Sequence, residues 1–219
     1  MEQKLSTKAQ LVIIHNQYRI SYKLTQNPPA NAIVKSVQAT NGTMTLSDLK
    51  SYKIVSRPPV SITYRNYTLY STGAPSSGSV ALSTFKTIEG YTDMSDPHLA
   101  NLSFHRLDEA IRFAYAAHAE LGDPEFVDEI DVSAFEIQML KASTAEGIRG
   151  RIDDERTKNV SYYNPKGIKA AESHGTSHIV TADSDGMSVS LTTTVNLLFG
   201  SRVLEPETGE FLFFLLLFV

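Results

Sequence analysis

The feature that most constrains the fold is a change in hydrophobic period along the chain. Residues 98–121 carry apolar side chains at helical spacing, whereas residues 178–183 and 187–198 alternate with a period of two. The sequence Asp183-Ser184-Asp185-Gly186 predicts a tight turn between these two strands. Helices followed by an antiparallel meander indicate an α+β fold rather than a parallel βαβ fold.

The remaining patterns predict short elements separated by glycine and proline. Further helices are expected at 30–39, after Thr45, at 79–90 and at about 133–149. Thr45 and Asp48 are spaced as a capping box for the second of these. Residues 60–71 are rich in β-branched and aromatic side chains, and Arg65-Asn66 near the middle predicts a hairpin or two short strands. The polar stretch 153–173 predicts an exposed linker.

Composition limits the class of protein. A chain of 219 residues can bury one substantial core, and 42% hydrophobic with 20% charged residues is typical of a globular protein. The net charge of -4 offers no basic field, so we expect no nucleic acid partner. The chain has no cysteine and therefore no disulfide framework. His174 and His178 are four residues apart, but Gly175 and the β-prone context argue against a metal pair, and no metal is expected.

Sequons for N-glycosylation suggest a compartment. Four of the nine asparagines lie in N-x-S/T sequons, which favours the secretory pathway, although coincidence in a Ser/Thr-rich chain is the alternative. The candidate sites are Asn41, Asn66, Asn101 and Asn159. Residues 1–20 have a short apolar run without a small-residue cleavage site, so we expect no signal peptide there.

The other end of the sequence is a run of apolar residues, FLFFLLLFV, from Phe211 to Val219. This run is too short to span a bilayer, which requires about 20 residues. It is either a buried strand or a non-native tail.

The predicted meander begins at a threonine, Thr176. A threonine hydroxyl is a weak nucleophile, but the α-amino group of an amino-terminal threonine, with a pKa of about 7.7–8.0, can accept its proton. An internal threonine reaches that state only if the chain is cut before it. Gly175 suits such a cut because it has no side chain to hinder the approach of the hydroxyl. The alternative is a threonine that only packs at the start of a strand.

This stretch resembles the signature of the γ-glutamyltransferases, a family that includes γ-glutamyl transpeptidases and glutathione hydrolases. That signature has a Thr, a His two residues later, an Asp-containing turn, a Thr-x-Thr pair, an Asn and a Phe-Gly pair. The matching residues here are Thr176, His178, Asp183, Asp185, Gly186, Thr192, Thr194, Asn196, Phe199 and Gly200. Residues 42–78 and 105–127 are similar to the family's large subunit, and the resemblance, strongest to fungal members, runs from about 30 to 209.

The resemblance implies an incomplete N-terminal-nucleophile hydrolase with αββα layers. It implies that the precursor cleaves itself between Gly175 and Thr176 into a large and a small subunit that form a heterodimer. Residues 1–175 are then the C-terminal part of the large-subunit region. Residues 176–219 are then the start of the small-subunit region, and the two together form one domain.

The resemblance also implies the chemistry. Thr176 is expected to be the nucleophile, with its own α-amino group as base, and to form a γ-glutamyl ester with glutathione or another γ-glutamyl compound. Water, an amino acid or a dipeptide then accepts the glutamyl group, and no cofactor is involved. Thr194 is expected to orient the Thr176 hydroxyl, Asn196 to bind the donor, and His178 to have a structural role. Relatives of this kind imply an extracellular, plasma-membrane or vacuolar location.

Some family features lack counterparts in this sequence. Leu215 and Phe218 stand where carboxylates are expected to hold the donor's α-amino group, and apolar side chains cannot pair with an ammonium. The segments expected to bind the donor carboxylate and to build the oxyanion site are absent, as is a substrate-clamping arginine. The alternative function is therefore an inactive truncated remnant or pseudoenzyme that acts, if at all, as a binding protein.

Overall fold

The computed structural model describes residues 28–128, 130–168, 176–194, 200–207, 211–212 and 216–218. Helices and short antiparallel strands both occur, which confirms the α+β class. Tertiary contacts group the chain into two compact units, Met1–Ser56 with Ser173–Val219, and Arg57–Glu172. The division of one domain at residue 175 follows an expected cleavage point rather than tertiary contacts, and it stays a prediction.

The elements follow one another along the chain, and most lie close to their predicted positions. They are helices α1 (Pro28–Ala39) and α2 (Leu46–Ser51), strands β1 (Val60–Tyr64) and β2 (Tyr67–Ser71), helix α3 (Gly78–Ile88), a 3₁₀ turn (Pro97–Leu99), helices α4 (Ala100–His118), α5 (Val132–Met139), α6 (Ala142–Arg149) and α7 (Val160–Tyr163), and strands β3 (Ser177–Ala182), β4 (Ser188–Thr194), β5 (Val203–Leu204), β6 (Phe211–Leu212) and β7 (Leu216–Phe218). The described strands form three antiparallel sheets, β1–β2, β3–β4–β7 and β5–β6.

The capping box predicted before α2 is present. The Asp48 N–H donates to the Thr45 hydroxyl at 3.3 Å, and the Thr45 N–H donates to the Asp48 carboxylate at 2.7 Å. The pKa of the Asp48 carboxyl is lowered, first by a hydrogen bond from the Thr45 side chain. These bonds satisfy backbone groups that have no partner inside the helix, so α2 begins where the sequence predicts.

The hairpin predicted over 60–71 is confirmed as strands β1 and β2. Arg65 and Asn66, at its turn, have φ values of 45° and 69°, as the two central residues of a type I′ turn do. The Arg65 N–H donates to the Glu89 carboxylate at 2.8 Å. The turn is therefore held against the end of α3.

Helix α3 is buried along most of its length and packs against α4, α6 and both hairpin strands. Two of its buried threonines donate to carbonyl oxygens one turn earlier, Thr84 to Val80 and Thr87 to Ser83, each at 3.0 Å. These bonds satisfy hydroxyls that would be costly to bury without a partner. Small hydroxyl side chains therefore share the buried part of α3 with Val80, Leu82 and Ile88.

The single helix predicted at about 133–149 is wrong, because the structure has two helices, α5 and α6. Between them Lys141 has an extended backbone, with φ -69° and ψ 142°. The Thr144 hydroxyl donates to the Gln138 carbonyl oxygen at 2.7 Å. Together with the Lys141 N–H, which donates at 3.3 Å, this bond satisfies a carbonyl at the end of α5, so the chain can break there at little cost.

The stretch 153–173, predicted to be an exposed linker, is mostly exposed in its described part, but it contains α7 and the buried Tyr163. The buried Tyr163 ring packs edge-on against Phe113 of α4, with ring centroids 5.0 Å apart. The Tyr163 hydroxyl lies 2.7 and 2.8 Å from the two carboxylate oxygens of Glu109 and donates to this group. Glu109 is fully buried, so the hydroxyl satisfies a carboxylate that would otherwise be costly to bury. Tyr163 therefore anchors the segment to α4.

Replacing Tyr163 by Phe should lower the free energy of unfolding by about 1–3 kcal/mol, because the buried Glu109 carboxylate loses its hydroxyl donor. Urea unfolding followed by circular dichroism measures this change. Tyr67→Phe is the matched control, since it removes the same hydroxyl from a residue that is 73% exposed. Equal effects of the two substitutions would contradict the role assigned to the Tyr163 hydroxyl.

Acid should weaken the same segment through Asp153. The pKa of the Asp153 carboxyl is lowered to about 2, first by a hydrogen bond from the Lys158 side chain. Since an unfolded aspartate has a pKa of about 3.9, Asp153 stabilises the folded state above about pH 4, and this contribution is lost as the pH falls toward 2.

Asp153→Asn should therefore flatten the decline in the free energy of unfolding over this acid range, measured by urea unfolding at several pH values. Asp128→Asn, which removes an exposed carboxylate, is the control and should keep the wild-type slope. If both variants follow the wild-type curve, the Lys158 contact does not contribute to stability.

Candidate functional site

Thr176 is exposed and lies immediately before β3. Strand β3 pairs with β4 so that Ser177 lies opposite Thr193, and His178 lies opposite Thr192. Continuing this antiparallel register by one residue sets Thr176 opposite Thr194. Residues in such positions have Cβ atoms about 4.5–5.5 Å apart. The strand pairing thus brings the predicted nucleophile and its predicted orienting residue to the same end of the ladder.

One face of the β3–β4 pair carries a row of hydroxyl groups around an imidazole ring. Because side chains alternate between the two faces of a sheet, Thr176 and His178 share this face with Ser190, Thr192 and Thr194. The Nδ1 atom of His178 lies 2.7 Å from Thr192 Oγ1, and its Nε2 atom lies 3.3 Å from Ser190 Oγ. His178 therefore links the two strands. The sequence motif marked this histidine but did not identify its partners.

The turn between β3 and β4 is confirmed at the predicted position. Asp183 Oδ1 accepts hydrogen bonds from the backbone N–H groups of Asp185 and Met187, each at 2.9 Å. Gly186 has φ 83°, in the left-handed region that favours glycine. Asp183 is therefore a turn-forming residue of the Asx type.

Two predicted site residues, Gly175 and Asn196, lie outside the described residues. The cleavage bond and the donor-binding contact that they were expected to supply stay predictions. Leu215, which stands where the family motif has a carboxylate, also lies outside the described part of the chain.

The apolar run at the end of the sequence contributes to two of the sheets. Strand β7 pairs with β4, setting Leu216 opposite Thr194 and Phe218 opposite Thr192, while β6 pairs with β5. In the three-stranded sheet β4 is central and β3 lies at one edge. The strand interpretation of this run agrees with the backbone pairing.

The four candidate glycosylation asparagines are all exposed. Asn41 and Asn66 lie in turns, after α1 and within the hairpin, respectively. Asn101 lies in the first turn of α4, and Asn159 precedes α7, where its side-chain oxygen accepts from the Tyr162 N–H at 3.2 Å. Exposure is what modification requires, and glycosylation itself stays a prediction.

A cavity of about 650 Å³ lies in the unit Arg57–Glu172, between the hairpin and α5. Its wall includes the buried carboxylate of Glu136, which accepts from the Ala74 N–H at 2.8 Å. Arg57, also at the wall, donates to Asp123 at 2.9 Å. Both charged groups thus have protein partners. The residues that the sequence assigned to the site and that the structure describes do not line this cavity.

Metal binding depends on clusters of ligand side chains, and insertion of a helix into a membrane depends on a long apolar segment. No group of three or more His, Asp or Glu side chains in this part of the chain could hold a metal ion. No helix there combines the length and the apolar character that crossing a bilayer requires. That the chain works without a metal or a cofactor stays a prediction.

Comparison with known sequences finds relatives for most of the chain. A family model described as "Gamma-glutamyltranspeptidase" matches residues 26–213. The chain is 50% identical over 182 residues to the glutathione hydrolase proenzyme of Arthroderma benhamiae, covering 83% of this chain and 31% of that protein. It is 40% identical over 182 residues to the glutathione hydrolase of Aspergillus flavus, covering 83% and 30%. The chain thus spans about a third of the length of these curated relatives.

Solved structures show a similar fold. The crystal structure of Helicobacter pylori gamma-glutamyltranspeptidase matches with a TM-score of 0.58 and 27% identity, over 64% of this chain and 40% of that one. The gamma-glutamyltranspeptidase of Pseudomonas nitroreducens complexed with L-DON matches with a TM-score of 0.56 and 21% identity, over 68% and 42%, and supports the fold alone. The α+β fold is therefore an incomplete one of the N-terminal-nucleophile hydrolase type.

Replacing Gly186 by Ala should lower the free energy of unfolding by about 1–2 kcal/mol, because alanine is strained in the left-handed region. Gly147→Ala, in α6, is the matched control and should raise it by about 0.5–1 kcal/mol, because alanine favours a helix. A Cβ atom at either position meets no atom within 4 Å, so only backbone conformation separates the two. Urea unfolding measures both, and shifts of the same sign would contradict the turn geometry.

Proposed function

Because the chain belongs to the gamma-glutamyltranspeptidase family, we propose that it carries the nucleophile of a glutathione hydrolase. The reaction moves the γ-glutamyl group of glutathione to water, an amino acid or a dipeptide. The observation that carries the proposal is the position of Thr176, exposed at the start of β3 and opposite Thr194 in the continued register. The names of the two fungal relatives support the choice of substrate.

The first step is self-cleavage between Gly175 and Thr176. The Thr176 hydroxyl oxygen bonds to the Gly175 carbonyl carbon while the peptide C–N bond breaks, and the hydroxyl proton passes to the leaving nitrogen. The α-amino group of Thr176 is free once the C–N bond has broken. Water then hydrolyses the resulting ester, which leaves a carboxylate on Gly175 and frees the Thr176 hydroxyl. The name of the Arthroderma benhamiae relative, a proenzyme, supports a precursor of this kind.

The second step is acyl transfer. The free α-amino group of Thr176, with a pKa of about 7.7–8.0 in peptides, takes the hydroxyl proton. The oxygen then bonds to the γ-carbonyl carbon of glutathione, and the amine leaves with the proton. Water or an acceptor amine displaces the threonine oxygen from the γ-glutamyl ester. Thr194 orients the hydroxyl through its cross-strand position, and Asn196 binds the donor.

The two cleavage products remain together as a large and small subunit heterodimer in this proposal. The protein passes through the secretory pathway and is extracellular, at the plasma membrane or vacuolar. The exposure of the four sequon asparagines supports glycosylation on that route.

The second candidate is an inactive remnant that acts, if at all, as a binding protein. Leu215 and Phe218, at the positions where the family motif has carboxylates, favour this candidate because neither side chain can pair with the ammonium of a γ-glutamyl donor. Self-cleavage and γ-glutamyl transfer separate the two candidates.

Thr176→Ala should abolish self-cleavage because no hydroxyl remains to attack Gly175, whereas Thr176→Ser should retain it. Denaturing electrophoresis with amino-terminal sequencing should show a wild-type product that begins at Thr176. Ser177→Ala is the matched control, since it removes the adjacent hydroxyl from the opposite face of β3, and it should cleave like the wild type.

The cleaved wild type should also release the aniline from a chromogenic γ-glutamyl anilide, whereas the Thr176→Ala variant should not. An uncut wild type, or release equal to that of Thr176→Ala, would contradict the proposed activity and favour the remnant.

A further inference from the structure

We infer that His178 is a positioning residue for Thr176, because its hydrogen bonds to Thr192 and Ser190 fix the strand register that sets Thr176 opposite Thr194. This inference rests on the proposed function, in which Thr176 is the nucleophile. It assigns to His178 a contribution to the reaction without contact with the substrate.

The bridge lies next to the nucleophile along one face of the sheet. His178 follows Thr176 by two residues on β3, and Thr192 precedes Thr194 by two residues on β4, so the two pairs are same-face neighbours. The His178 Nδ1 atom is 2.7 Å from Thr192 Oγ1. Neighbours on the same face of a strand are roughly 6.6–6.8 Å apart, so the His178–Thr192 hydrogen bond lies in the cross-strand pair next to Thr176 and Thr194.

The hydrogen bonds of His178 also indicate what it does not do. A neutral imidazole has one donor and one acceptor nitrogen, so Thr192 and Ser190 must have opposite roles, one accepting and one donating. Either tautomer satisfies both contacts. Since both ring nitrogens are occupied by β4 hydroxyls, His178 is not assigned as a base. The α-amino group of Thr176 is the base only after self-cleavage has released it.

The Asx turn at Asp183 fixes the register of β3 at one end, and a bridge is needed near the other end, where Thr176 lies. All six of its residues are exposed, and among the described strands it pairs only with β4. A slip by one residue would turn Thr176 to the opposite face of the sheet. Strand β4 has the sequence SVSLTTT. Because most of these side chains are polar, a shift in register would change the buried apolar area little, so burial alone specifies the register weakly. The hydrogen bonds of the His178 ring to Thr192 and Ser190 favour the observed register over shifted ones.

The test measures the rate of self-cleavage in the full chain, beginning from freshly refolded precursor. His178→Ala removes both contacts, and Thr192→Val removes one hydroxyl while keeping the side-chain shape. Each should slow cleavage roughly 10- to 100-fold, because small misplacements of reacting groups have effects of this size. The double variant should be no slower than His178→Ala alone, since both substitutions break the same contact.

Two further variants separate positioning from strand formation. His178→Asn places a polar atom near the position of Nδ1, so it should restore cleavage to within about threefold of the wild type. Ile179→Ala changes the next residue, which is 54% exposed on the opposite face of β3, and it should cleave at the wild-type rate. In the pH dependence of the self-cleavage rate, His178→Ala should lower the rate by the same factor at every pH and leave the shape of the curve unchanged.

Each outcome decides the question. An uncut wild type overturns both the proposed function and this inference. A cleaving wild type with an equal rate in His178→Ala or Thr192→Val overturns the inference alone. A change in the shape of the pH profile overturns positioning in favour of proton transfer by His178. If His178→Ala proves unstable in urea unfolding, the self-cleavage rates of Thr192→Val, His178→Asn and their double variant still test whether the bridge positions Thr176.

Discussion

The antiparallel pairing of β3 with β4 is the constraint on which the candidate site depends. The observed register, continued by one residue, sets Thr176 opposite Thr194 on one face of the sheet, and any odd shift would separate them. The register is fixed at one end by the Asx turn at Asp183 and near the other by the bridge from His178. Strand register, rather than a dense core around Thr176, therefore determines which groups meet at the site.

The features of the fold that the sequence predicted depend on residues close together in the chain. The capping box joins positions 45 and 48, the hairpin turns at Arg65, and the β3–β4 turn ends at Gly186. The features that the sequence analysis did not predict depend on contacts that leave no local pattern in the sequence. The contact between Tyr163 and Glu109 joins residues 54 positions apart, and a polar segment gives no local sign of such an anchor. At the break between α5 and α6 the Thr144 hydroxyl adds to the backbone donors at the Gln138 carbonyl, and hydrophobic periodicity gives no sign of this contact.

The candidate site was predictable in part. The motif identified Thr176 and Thr194, and family membership now rests on a match over residues 26–213. The partners of His178 were not predicted because they depend on which residues of β4 lie opposite β3. Once the turn at Gly186 is placed, the strand pairing follows. Because side chains alternate between the two faces of a sheet, His178, Ser190 and Thr192 then lie on the same face. A register derived from the turn could therefore have identified the bridge.

The anchor formed by Tyr163 has a consequence for the proposed self-cleavage. A new carboxyl terminus at Gly175 would lie about a dozen residues beyond this ring, and a chain of that length extends at most roughly 40 Å. The freed end would thus remain tethered to the unit Arg57–Glu172. The hydrogen bond from Tyr163 to the buried Glu109 carboxylate would determine where that tether begins.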